Sequence, residues 1–185
     1  MTQAKAPTIR RVLTADLDPA DIAAMRALFA AAWPEGDEAF DEDDFAHAMG
    51  GVHWLLEIDG RRVSHASVVE RILEADGVPL RTGYVEAVAT LPGEEGRGHG
   101  STVMTAAGAH IREAYELGAL GTGRISFYER LGWEVWPGPT FVRTSTGPVR
   151  TSDADGAILV LRTPRTPAID LAGSLSCNWR PGDVW

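Results

Sequence analysis

The chain has 185 residues, of which 44% are apolar, 23% charged and 8% aromatic, a composition that suits one packed globular domain and argues against disordered, collagen-like and disulfide-scaffold classes. Its formal net charge is −9 and the excess is local, because no Lys or Arg stands between Arg26 and Arg61 while Glu35, Asp37, Glu38, Asp41, Glu42, Asp43, Asp44, Glu57 and Asp59 do. That distribution speaks against nucleic acid and for a cation as partner; taken alone, the acidic run also reads as a solvated helix and loop.

In chain order, Ile9 to Leu13 reads as a short strand, and Asp18-Pro19 as N-cap and first residue of a helix reaching about Ala32. Ile22, Met25 and Phe29 share one face, and Pro34 and Gly36 end the helix. An acidic helix follows over Asp41 to Met49, before Gly50-Gly51. Val52 to Ile58 and Arg62 to Glu74 are strand-like runs joined by Asp59-Gly60, a pair that tolerates the two positive φ angles of a type I′ turn. Asp76-Gly77 makes a second such turn into a strand over Leu80 to Thr90, where apolar and polar residues alternate. Next come a glycine-rich loop, a helix over Thr102 to Glu116, a strand near Ala119 and a helix from about Ser126 to Leu131 closed by Gly132. Strands near Glu134 and over Ala157 to Leu161 complete the pattern. From Arg162 on, prolines and small residues predict an extended tail whose aromatic end, with Trp179 and Trp185, is expected to dock by burying both indoles. The class is α/β with a largely antiparallel sheet, in one domain over 1–185 of which 162–185 is the docked tail.

No apolar run reaches the ~18 residues that span a bilayer, and the first thirteen residues lack a secretory signal's uninterrupted apolar segment, so no membrane association is expected. With Cys177 as the sole cysteine, the reading is a cytoplasmic protein with a structural, buried thiol. The five histidines, His47, His53, His65, His99 and His110, show no metal-ligand spacing. His65 interrupts an apolar strand and reads first as a hydrogen-bonded core residue, with a catalytic base as the second reading.

The loop Glu95-Gly96-Arg97-Gly98-His99-Gly100, just before a helix, exposes backbone N–H groups that can converge on a phosphate. It lacks the Gly-Lys-Ser/Thr ending of an ATP loop and the frame of a dinucleotide fingerprint, which indicates a different anion. Glu86 is a carboxylate in an otherwise apolar strand, where burial requires an amine, a water or an Arg as partner.

Strand, glycine loop and helix together resemble the acyl-CoA pyrophosphate motif of the GCN5-related N-acetyltransferase (GNAT) superfamily, and Ser126-Phe127-Tyr128-Glu129-Arg130-Leu131-Gly132-Trp133 resembles a second motif of it. Within the superfamily, Tyr84-Val85-Glu86, Tyr115 to Leu120, Thr146-Gly147-Pro148 and the block Cys177 to Trp185 resemble the aminoglycoside 2′-N-acetyltransferases. The resemblance implies a GNAT fold, with a mixed, mostly antiparallel sheet flanked by helices, and acetyl-CoA as co-substrate without a metal. It also implies transfer to the 2′-amino group of an aminoglycoside by direct attack, a role in antibiotic resistance, and no need for an acyl-enzyme on Cys177. A homodimer is the assembly it allows.

By the same resemblance, Gly96, Arg97, Gly98, His99, Gly100 and Ser101 bind the pyrophosphate, and Val88 and Thr90 on the strand bind the acetyl end. Glu86 takes the amine proton through water. Tyr128 protonates the sulfur, its phenol pKa near ~10 lying close to a thiol's. From the acidic stretch and the aromatic tail, Asp44, Asp183 and Trp185, the last through its α-carboxylate, are expected to meet around the cationic substrate; the alternative is that Trp185 merely seals the core. Glu95 stands where the superfamily has Arg or Gln, leaving Arg97 as the available cation. Ala39, Ala87, Gly121 and Ala154 stand where the subfamily leads one to expect Asp, Gly, Ser and Asp. The competing readings are an acetyltransferase of another small amine or aminosugar, and a noncatalytic aminoglycoside- or CoA-binding module; retention of both Glu86 and Tyr128 speaks against the module.

Overall fold

A computed structural model describes residues 6–34 and 40–185, so Glu35, Gly36, Asp37, Glu38 and Ala39 of the sequence reading lie outside the described residues. The described residues form two compact units, one of residues up to Val69 with Val85–Ala107, the other of Glu70–Tyr84 with Gly108–Trp185.

In the first unit, strand β1 (Thr8–Leu13) pairs antiparallel with β2 (Val52–Ile58), which pairs antiparallel with the first half of β3 (Arg61–Ala75). The β2–β3 turn has Asp59 at φ 51° and Gly60 at φ 76°, the geometry expected of that dipeptide. Helix α1 (Pro19–Ala32) opens on a reciprocal capping box, in which the Asp18 side chain accepts from the Asp21 N–H at 2.7 Å and Asp21 reaches back to the Asp18 N–H. Helix α2 (Glu42–Ala48) repeats the device with Asp41 and Asp44. The apolar face of α1 carries Met25, Leu28 and Phe29 against Val12, Leu55 and Ala89. Ile22 is only half-buried, and Leu28 takes the inward position.

Asp21 is 3% exposed and ion-paired to both Arg10 and Arg62, which fastens the start of α1 to β1 and β3. Burial alone would raise its carboxyl pKa, but the two guanidinium partners outweigh that and hold it below the ordinary value.

In the second unit, the Asp76-Gly77 turn, at φ 48° and 77°, joins the end of β3 to the start of β4 (Val78–Thr90). Strand β4 pairs in parallel with β5 (Leu117–Gly121) over Thr82–Tyr84. A Cβ on Gly83 would stand 2.7 Å from the Tyr115 ring, so close packing requires glycine there. Strand β5 pairs antiparallel with β9 (Ile158–Arg162), which takes β6 (Glu134–Val135) on its other edge. The sheet is mixed and mostly antiparallel, as expected.

Three strands were not predicted. β7 (Thr140–Thr144) and β8 (Gly147–Arg150) form a hairpin, and β10 (Leu175–Asn178) lies parallel to β7 and antiparallel to the end of β3. Their brevity and flanking Pro and Gly residues concealed them. Arg71, 7% exposed, anchors the segment after β10 by donating from Nη2 to the carbonyls of Asn178 (3.1 Å) and Val184 (2.8 Å). Trp185 is 7% exposed, but Trp179 is 59% exposed, so only one of the two indoles expected to be buried is. Two helices also depart from their predicted bounds: α3 runs His99–Ala114 and α4 Ile125–Glu129, the latter still followed by Gly132 at φ 88°.

Candidate active site

Helix α3 begins three residues before the predicted Thr102. Gly98, at φ 84°, serves as its N-cap, a conformation that favours glycine. The Gly98 carbonyl accepts the first helical bond, from the Thr102 N–H at 2.9 Å, and a second from Thr102 Oγ1 at 3.0 Å. The N–H groups of His99, Gly100 and Ser101 therefore precede the first helical donor and project from the positive end of a 16-residue helix. This is the geometry that receives a phosphate.

The loop ahead of it is pinned by Glu94, which accepts from Arg97 Nη1 at 2.9 Å, pairs with Arg61, and lies 3.8 Å from His99 Nε2. Arg97 is thus paired within the loop and does not stand as a free substitute for the cation missing at Glu95. Gly96, at φ 73°, sits in the same loop with open space around its Cα.

On β4, the carbonyls of the segment after Tyr84 are met by side chains of β3. Ser67 Oγ donates to the Glu86 carbonyl at 3.2 Å, His65 Nδ1 bonds the Ala87 carbonyl at 2.6 Å, and Ser64 Oγ donates to the Ala89 carbonyl at 2.8 Å while lying 3.0 Å from Thr90 Oγ1. Ala87 is at φ 49°, the left-handed region, at the position where the resemblance leads one to expect Gly. Glu86 and Val88 flank it, both half-buried. Ser64 and Ser67 were not singled out from sequence; their signal was the presence of two hydroxyls in a strand whose Val63–Val69 stretch is buried throughout.

In the second unit, Tyr128 is 7% exposed, edge-on to Phe127 (centroids 4.8 Å apart) and Trp133 (6.3 Å). Burial pushes its phenol pKa up to about 12, so the close match to a thiol does not hold and the group stays protonated throughout the neutral range. Such a phenol is a hydrogen-bond donor to a departing thiolate more than a full proton donor to it. Asp183 Oδ1 accepts the Trp185 N–H at 3.1 Å, and Trp185 Nε1 donates to Thr151 Oγ1 at 2.9 Å. Gly121 stands beside them, a Cβ there falling 3.6 Å from the Trp185 carbonyl carbon. Ala154 closes a 3-10 turn, Ser152–Ala154. Cys177 is buried, its thiol donates to the Val184 carbonyl at 3.3 Å, and burial raises its pKa, as suits a structural thiol.

Asp44 lies in the first unit and its Oδ2 accepts the Asp41 N–H at 3.0 Å, so its carboxylate is engaged in capping α2. Asp44 and Asp183 belong to different units, as do Glu86 and Tyr128; within single units, the structure joins Glu86, Val88, Thr90 and the loop on one run of chain, and Asp183 with Trp185.

Residues 14–136 match the family model of the acetyltransferase (GNAT) domain. The chain belongs to the GNAT acetyltransferases. Over 183 residues, 96% of this chain and 92% of the relative, it is 39% identical to the aminoglycoside 2′-N-acetyltransferase of Mycolicibacterium fortuitum. Its fold is shared with a GNAT family N-acetyltransferase of Escherichia coli solved in complex with CoA, at TM-score 0.67 and 16% identity over 96% of this chain and 92% of that one. A GNAT family acetyltransferase of Brucella melitensis in complex with acetyl-CoA matches at TM-score 0.60 and 19% identity over 89% and 94%. As a GNAT acetyltransferase the protein takes its acetyl group from acetyl-CoA. Among the described residues, no three His, Cys, Asp or Glu side chains group as a metal cage, and no helix is long and apolar enough to cross a membrane.

Proposed function

We propose that this GNAT acetyltransferase transfers acetyl from acetyl-CoA to the 2′-amino group of an aminoglycoside. The observation that carries the reading is the 39% identity with an aminoglycoside 2′-N-acetyltransferase over 96% of the chain. The N–H groups of His99, Gly100 and Ser101, with the turn from Gly96 through Arg97 and Gly98, hold the pyrophosphate. The Val88 N–H receives the acetyl carbonyl oxygen, and Thr90 borders it. The neutral amine attacks the thioester carbon directly: the C–N bond forms, the C–S bond breaks, the amine proton passes through water to Glu86, and the sulfur leaves as a thiolate that accepts a hydrogen bond from the Tyr128 hydroxyl and takes its proton from solvent. Asp44, Asp183 and Trp185 contribute to recognition of the polycation, and the acidic stretch lends the surface a field of the right sign. The biological consequence is antibiotic resistance of a cytoplasmic enzyme.

The test is release of CoA thiol by purified protein over a panel of aminoglycosides and polyamines. Release with aminoglycosides and not polyamines supports the reading; release with polyamines alone replaces the substrate class; release with neither removes the enzymatic reading.

A further inference from the structure

Thr14, which is half-buried, and the buried His53 and His65 form a chain of polar groups that ends at Ala87. His65 Nδ1 stands 2.6 Å from the Ala87 carbonyl, His65 Nε2 3.0 Å from His53 Nδ1, and His53 Nε2 2.7 Å from Thr14 Oγ1. Both imidazoles are 0% exposed. The carbonyl end fixes the direction of every bond. A carbonyl only accepts, so His65 carries its proton on Nδ1; a neutral His65 then has a bare Nε2, which makes His53 Nδ1 the donor. His53 Nε2 is bare in turn and accepts from Thr14 Oγ1. That hydroxyl is oriented by the Gly50 and Gly51 N–H groups, which donate to it at 3.0 and 3.1 Å.

We propose that His65 is a positioning residue: its Nδ1–H holds the Ala87–Val88 peptide so that the Val88 N–H is aimed at the acetyl carbonyl of acetyl-CoA, and His53 and Thr14 lock the tautomer that allows it. Three observations carry this. Ala87 is at φ 49°, a conformation an L residue rarely adopts, so its peptide needs an external restraint. The described residues include no cis peptide, and across a trans peptide the C=O and the next N–H point in opposite directions. With the Ala87 carbonyl turned to His65, the Val88 N–H faces the other side of β4. Finally, a hydrogen bond to the carbonyl polarises the same peptide and strengthens its N–H as a donor. Burial, which disfavours the imidazolium form of both rings, keeps the chain neutral. Because it ends on a carbonyl that has no proton to give or keep, it orients and polarises and does not conduct.

The inference rests on the reading that Val88 receives the acetyl carbonyl, and the experiment separates the two. Bind acetyl-CoA labelled with carbon-13 at the carbonyl, without amine, and record the thioester C=O stretch for wild type, His65→Leu and His65→Asn; the Asn side-chain nitrogen falls where His Nδ1 lies and keeps a donor. The expected result is a band displaced to lower frequency from that of free acetyl-CoA in wild type and His65→Asn, and returned toward the free value in His65→Leu. The Leu variant should also lose about 10- to 100-fold in kcat, the scale for losing a group that orients another, and should bind acetyl-CoA more weakly while binding CoA, which has no acetyl carbonyl, unchanged. A band equally displaced in wild type and His65→Leu overturns the role of His65 and leaves the Val88 reading standing. An undisplaced band in wild type overturns the Val88 reading and this inference with it. Should His65→Leu fail to fold, nitrogen-15 NMR of wild type decides: both rings protonated on Nδ1 only, from pH 5 to 8, is the expected pattern, and an Nε2–H tautomer of His65 or titration in that range overturns the proposal.

Discussion

His53 Nδ1 and His65 Nε2 face each other at 3.0 Å with both rings wholly buried, and this pair makes the fold sensitive to acid. Burial lowers the His53 pKa to about 4, and burial together with the neighbouring His53 lowers that of His65 to about 3. In the unfolded chain both titrate near 6.5. Between pH 6.5 and about 4 the unfolded state therefore binds protons that the folded state refuses, and stability falls as pH falls through that window. Above pH 6.5 the pair contributes no slope. Asp21, whose pKa is lowered from 3.8, acts only below the window. Urea midpoints measured from pH 8 to 4.5 should be flat at first and then drop, and the drop should shrink in a His53→Gln, His65→Asn double variant. A slope that persists unchanged in that variant assigns the acid sensitivity elsewhere.

Ala87→Gly tests the strain directly. Glycine removes the left-handed penalty, about 1–2 kcal/mol, and adds about 0.4–1 kcal/mol of unfolded-state entropy. The net expectation is a stability gain below about 1.5 kcal/mol in chemical denaturation. A clear loss would mean that the Ala87 methyl contributes more in packing against the α1 core than its backbone costs.

At the start of α3, a carboxylate should have opposite effects on the free and the bound enzyme. Gly100→Asp places a negative charge in the first turn, where it favours the helix dipole and leaves thermal stability unchanged or slightly raised. The same charge beside a pyrophosphate should weaken CoA binding by at least ~10-fold, as measured by calorimetry. Full CoA affinity in this variant would place the phosphates elsewhere. Gly98→Asp is the poorer probe, because Gly98 is at φ 84° and any side chain there is strained.

Tyr128→Phe removes one oxygen and preserves the edge-on packing against Phe127 and Trp133. With the phenol pKa pushed up to about 12, no basic limb of the rate profile below pH 10 should belong to Tyr128. The variant should lose about 10²-fold or more in kcat with KM for acetyl-CoA nearly constant. Retention of full kcat would hand stabilisation of the sulfur to another group.

Much of this was legible in local chemistry. Asp59-Gly60 and Asp76-Gly77 declared their turns because few dipeptides accept two positive φ angles, and Asp18-Pro19 declared a helix start. The glycine loop was legible for the same reason, although the bounds of its helix were not: Gly100 and Ser101 look like loop residues, but Gly98 is the residue whose carbonyl takes the first helical bond. What escaped depended on partners distant in sequence. Leu175–Asn178 is a strand because β3 and β7 flank it, and nothing in four residues announces that. Arg71 reads as a surface charge in an apolar strand until the carbonyls of Asn178 and Val184 supply its acceptors. Likewise Ser64 and Ser67 find their acceptors only in the β4 carbonyls opposite them, whereas His65 was legible as a hydrogen-bonded core residue.

The most direct measurement of the central claim compares two aminoglycosides that differ at one atom, the first with a 2′-amino group and the second with a 2′-hydroxyl. Purified enzyme with acetyl-CoA should release thiol stoichiometrically with the 2′-amino compound, and NMR of the product should place the acetyl group on that nitrogen. The 2′-hydroxyl compound should give only the background hydrolysis of acetyl-CoA. Equal turnover of both, or an acetyl group found on another nitrogen of the 2′-amino compound, would contradict the account.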